Sequence, residues 1–142
     1  MGQDIKAFIP KPLPEKQKES AKNYLDEVFK MVLDQEKSFK WLKWVPFKFV
    51  PKKKKELWTR QAFNLSFRTA ALLLGSKGVY VSKKKDIVSA FKRYTREKEL
   101  CDMISYTFSL WKKWGKEPLN NKETKQLLEN SFRFVKGLQS LQ

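Results

Sequence analysis

"LWTRQAFNLSFRTAALLL", residues 57–74, decides the fold. Trp58, Ala62, Leu65, Thr69 and Leu72 recur at three- and four-residue steps, and Phe63, Phe67, Ala70, Ala71 and Leu74 widen that stripe. A helix apolar over so much of its circumference belongs at the centre of a bundle. The spacing predicts a helix from about Lys54 to Leu74, stopped by Gly75 and Gly78. Arg60 and Arg68 sit inside the stretch, so it is too polar, and barely long enough, to span a bilayer.

Working outward, the same periodicity returns on both sides. Ala21, Tyr24, Leu25, Val28, Phe29 and Val32 mark one face of a first helix from Glu15 to near Gln35. Before it, Pro10, Pro12 and Pro14 make residues 1–14 an irregular arm. Beyond the central helix, Ser82 is the expected N-cap of a short helix carrying Ile87, Val88, Phe91 and Tyr94. Leu100, Met103, Ile104, Thr107, Phe108 and Trp111 mark a fourth helix ending near Gly115. A turn at Pro118 and Asn120–Asn121 then starts a last helix with Leu127, Leu128, Phe132, Val135 and Leu138 in register. Only "KFVP" and "VYV" could be strands. The fold class is all-α: one domain over residues 15–142, a bundle of four main helices plus a shorter one.

The chain has 142 residues and a formal net charge of +16. So positive a surface repels itself unless an anion is near. Nucleic acid is the first candidate partner; an anionic membrane or an acidic protein comes second. The arginines are Arg60, Arg68, Arg93, Arg96 and Arg133, and the rest of the positive charge is lysine. Lysine is a point charge without the planar fork that reads base edges, so binding should favour backbone over sequence. A solvated, solubility-driven lysine surface is the competing reading.

Two lysine runs stand at helix starts, where they oppose the helix dipole. Lys52, Lys53, Lys54 and Lys55 precede the central helix, and Lys83, Lys84 and Lys85 precede the short one. Lysines and amide donors together make a phosphate site. If the central and short helices are antiparallel, Arg93 and Arg96 come back toward Arg60 and Lys55, merging the runs into one basic face. Beside the first run lies "WLKWVPFKFVP", residues 41–51. Its rings either pack as a proline-stiffened connector, or Trp41, Trp44 and Phe47 stack on bases next to the lysines.

Catalytic chemistry is poorly supplied. There is no histidine, hence no Ser–His or Cys–His pair and no imidazole base. Cys101 is the single cysteine, so no internal disulfide forms and no cysteine–histidine zinc site can be assembled. Gly75 and Gly78 have the wrong spacing for a phosphate-cradling loop. No cofactor is implied. No apolar leader opens the chain, so a cytoplasmic protein without membrane association is expected.

"NLSFRTAALLLGSKGVYVSKKKDIVSAFKRY" resembles the middle of a HEPN domain, where a helix rich in small and leucine residues ends in a lysine–glycine turn. "LWKKWGKEPLNNKETKQLLENSFRFVKGLQSL" is similar to that family's closing helix, with Leu127, Leu128, Phe134 and Val135 at the Leu-Leu and Phe-Val pairs. The likeness covers about residues 57–141. It implies an up-and-down helical module that pairs with itself or with a nucleotidyltransferase, or contacts RNA or DNA, often in defence or toxin–antitoxin settings. Nuclease members carry an Arg, a short polar spacer and a His before the last helix; here Lys112 and Lys113 stand in that region, so ribonuclease activity is not expected. Alternatives are a dimerisation or scaffold module for an acidic protein and, by size and composition, a basic small subunit of a CRISPR effector complex. Phe108, Trp111 and Trp114 carry large rings to the end of one helix, and a homodimer is expected on that ground.

Overall fold

The computed structural model describes residues 15–40 and 47–141. These described residues form five helices: α1 (Glu15–Lys40), α2 (Lys52–Ser76), α3 (Lys84–Tyr94), α4 (Lys98–Trp114) and α5 (Asn121–Gln139). A 3₁₀ turn, Phe47–Phe49, precedes α2. No strand occurs among the described residues. The "KFVP" candidate overlaps that turn, and "VYV" is an irregular connection. The proline arm, Trp41 and Trp44 lie outside the described residues.

α2 is the axis of the bundle, as its wide apolar face requires. Phe63, Ala70, Leu73 and Leu74 are buried on it, each large side chain contributing about 1.5–3 kcal/mol. α5 lies beside it in the same direction. The buried Ser66 hydroxyl donates to Ser131 at 3.0 Å, and Ser131 donates to the Ala62 carbonyl at 3.3 Å. α4 runs opposite to both. Trp114 meets Phe63 at 5.4 Å and Trp111 meets Phe67 at 6.4 Å. Asn130 on α5 donates to Thr107 at 2.9 Å, and Leu100 packs on Gly137, where no Cβ intervenes. α1 lays Leu25, Phe29 and Val32 on the core, with Ala21 against Gly75, so it too runs opposite to α2. α1 continues past the expected end at Gln35, to Lys40.

Two expected helix signals move. Gly75 is not a stop: it is buried inside the last turn of α2 against α1. The stop is Gly78, at φ 88°. Its N–H returns to the Gly75 carbonyl at 3.0 Å and the Val79 N–H to the Leu74 carbonyl at 2.9 Å, the double closure of a Schellman turn. Ser82 does not cap α3. Lys83 occupies the cap position without a side-chain cap bond, and Asp86 supplies the favourable charge in the first turn.

The bundle therefore has two distinct ends. At the basal end α2 and α5 begin and α4 finishes; at the far end α2 and α5 finish and α1 and α4 begin.

Candidate nucleic-acid interface

The first turn of α2 is unusual. Pro51 stands at the N-cap with extended φ/ψ, which suits a residue lacking N–H. No side chain caps the turn, and its first turn holds no acidic residue. The N–H groups of Lys54 and Lys55 both turn back to the Pro51 carbonyl at 3.1 Å. Lys52, Lys53 and Lys54 are exposed, so the turn presents positive charge on the positive end of a helix. Lys54 also stands over the Trp58 ring at 5.7 Å. From Lys48 to Lys85 there are eleven lysines and arginines against one acid, Glu56. α1, by contrast, carries six of each sign.

Fold topology adds to this turn. Lys55 donates to the Asn121 side chain at 2.8 Å, tying the start of α2 to the start of α5. The exposed Lys112 and Lys116, from the end of α4, and Lys122, from the start of α5, belong to the same basal end. Sequence reading missed these three because no local spacing joins them to Lys52. Lys113 is committed elsewhere, bonded to Glu123 at 2.5 Å with Glu117 at 3.8 Å. That bond holds the Glu123 carboxyl below the usual carboxylate range, helped by the Asn120 N–H, and raises the Lys113 ammonium. Asn120 and Glu123 form a capping box, with the Asn120 side chain accepting from Glu123 N–H at 2.8 Å and the Glu123 carboxylate accepting from Asn120 N–H at 3.1 Å. The Asn-x-x-Glu spacing was the available signal.

The second lysine run divides. Lys84 points inward over Trp111 at 5.0 Å and Phe67 at 5.7 Å, while Lys83 and Lys85 are exposed. Lys84 thus lies toward the basal half. Phe91 meets Phe134 at 5.4 Å, and the Thr95 carbonyl accepts from Cys101 in the first turn of α4. α3 therefore advances toward the far end, in the same sense as α2. This corrects the antiparallel expectation: Arg93 and Arg96 do not return to Arg60 and Lys55 but lie at the opposite end. Arg60, exposed within the third turn of α2, stays with the basal group.

The rings also divide. Phe108 and Trp111 stack at 6.0 Å, both meet Phe67, and Trp114 meets Phe63, so the ring-rich end of α4 packs on its own core with each ring left partly exposed. Phe49 differs: it is 69% exposed, with the Lys48 ammonium 5.3 Å from its ring. Cys101 is half-buried; burial pushes its thiol up, away from thiolate chemistry. Among the described residues no group of three or more acidic, cysteine or histidine side chains could hold a metal ion. No described helix is long and apolar enough to cross a membrane.

Comparison with protein-family models, with curated proteins and with solved structures finds no match to this chain.

Proposed function

We propose that this chain is a non-catalytic, HEPN-like helical module that binds the sugar–phosphate backbone of nucleic acid through its basal end. One observation carries the reading: an uncapped, acid-free helix start bearing four consecutive lysines, placed where α4 and α5 deliver further exposed lysines. Four like charges opposing a dipole are unfavourable in isolation, about 0.3–1 kcal/mol each before screening. A polyanion reverses that sign, and its phosphates meet both amide donors and ammonium groups. Lysine-based contact of this kind is insensitive to sequence and sensitive to salt.

The test is the salt dependence of binding to labelled strands and duplexes by anisotropy. Each phosphate neutralised adds about 0.9 to the log–log slope on duplex DNA and about 0.7 on single strands. Replacing Lys52, Lys53 and Lys54 by Gln should flatten the slope by about 2 to 3. Replacing Arg93 and Arg96 at the far end should leave it unchanged. An unaltered slope in the lysine variant defeats the proposal. The same preparation should leave labelled RNA intact; cleavage abolished by a substitution in this chain would show that the module is catalytic after all.

A further inference from the structure

Resting on the proposed backbone binding, we infer that the basal end takes single-stranded nucleic acid, RNA or DNA, and that the Phe49 ring is a platform for an unpaired base. Phe49 is 69% exposed although it is among the most apolar side chains of the molecule. It is not on a loose segment: its 3₁₀ turn leans on α5, and the next residue, Val50, is buried. The turn leads through Pro51 directly into the four lysines. Lys48 stands over the ring, and Leu57, 49% exposed, follows in the next turns of α2. An anchored, exposed ring among cations is what a single strand requires, because phosphates engage the lysines while a base covers the ring. A duplex keeps its bases stacked inward and offers such a ring nothing. Every base has a π-face, so the platform does not distinguish RNA from DNA or one base from another.

The experiment uses the full chain and four probes of equal length: oligo-dT, oligo-U, a DNA duplex, and a deoxyribose–phosphate strand lacking bases. Phe49→Ala should weaken binding to oligo-dT and oligo-U by at least about fivefold. Its affinity for the abasic strand and the duplex, its salt slopes and its melting temperature should match the unsubstituted protein. Phe49→Trp, which keeps a ring, should restore binding to both base-bearing strands. Equal affinity of the unsubstituted protein for oligo-dT and the abasic strand overturns the inference while leaving backbone binding intact. So does a loss in Phe49→Ala that falls equally on all four probes, or a dimer that this substitution dissociates in sedimentation. Absence of salt-dependent binding to any probe overturns this inference together with the function on which it rests.

Discussion

Two helices start side by side at the basal end, linked by the Lys55–Asn121 hydrogen bond, and they are built in opposite ways. α5 begins with a reciprocal capping box, an acid in its first turn and an ion pair from α4 onto that acid. The Asn120 and Glu123 amides are bonded by the box itself, and the Glu123 carboxylate suits the dipole. α2 begins with a proline that neither donates nor caps, and then with lysines only. The contrast separates a helix start closed by its own side chains from one that no side chain caps and no first-turn acid balances. α2 is not careless throughout: its other end closes with the full Schellman pattern on Gly78.

The contrast can be broken most sharply by making α2 begin as α5 does. Lys52→Glu, Lys53→Glu and Lys54→Glu together should lower affinity for any strand by on the order of a hundredfold or more, since attraction becomes repulsion. The melting temperature should hold or rise, because acids at a helix start agree with the dipole. A variant that unfolds shows instead that these lysines stabilise the fold. Next in size is the closed end of α2. Gly78→Ala places a side chain in the left-handed region and should cost about 1–2 kcal/mol in a denaturant melt, with binding per folded molecule unchanged.

Asn120→Ala removes the finished cap of α5 and should cost about 1 kcal/mol, whereas Lys53→Gln at the open start should cost nothing. Equal losses from the two would erase the distinction. The smallest effect is the ionic part alone. Glu123→Gln keeps an acceptor for the Asn120 N–H but not the charge facing Lys113. Because the folded state holds the Glu123 carboxyl low, its contribution is present above the ordinary carboxylate range and is lost as pH falls through it. The raised Lys113 ammonium keeps its share until pH climbs past the ordinary lysine range. The difference in melting temperature between the unsubstituted protein and Glu123→Gln should therefore be present at neutral pH and close on acidification.

Helix identity was legible wherever an apolar stripe repeated, as in Phe63–Phe67–Ala70–Leu74, because burial on one face leaves a 3.6-residue trace. The lysine run at Lys52 was legible too, and so was its conflict with the dipole. Direction was not. Seven residues, 77–83, separate α2 from α3. Extended, they reach about 23 Å, enough to carry the chain back along α2 before α3 starts. A short turn would have forced an antiparallel pair; this connection permits a parallel one, and Arg93 and Arg96 go to the far end as a result. The contributions of Lys112, Lys116 and Lys122 were hidden for a related reason, since only the docking of α4 and α5 brings them to α2. Phe49 was visible only as one of several rings, because exposure is a property of what surrounds a side chain.

The parallel pairing of α2 with α5 has a consequence for synthesis. Ser66 and Ser131, which hold the two helices in register, are 65 residues apart in the chain. The axis of the bundle leaves the ribosome well before the partner that covers it, with α3 and α4 made in between. Until α5 emerges from the ribosome, Ser66 and Phe91 lack Ser131 and Phe134, the partners they meet in the fold. Contacts of such separation must wait for a large loop to close, which slows folding and prolongs exposure of the half-covered axis. A transcript truncated before Asn121 yields a chain with its central helix open along one side, a species prone to aggregate rather than a smaller working domain.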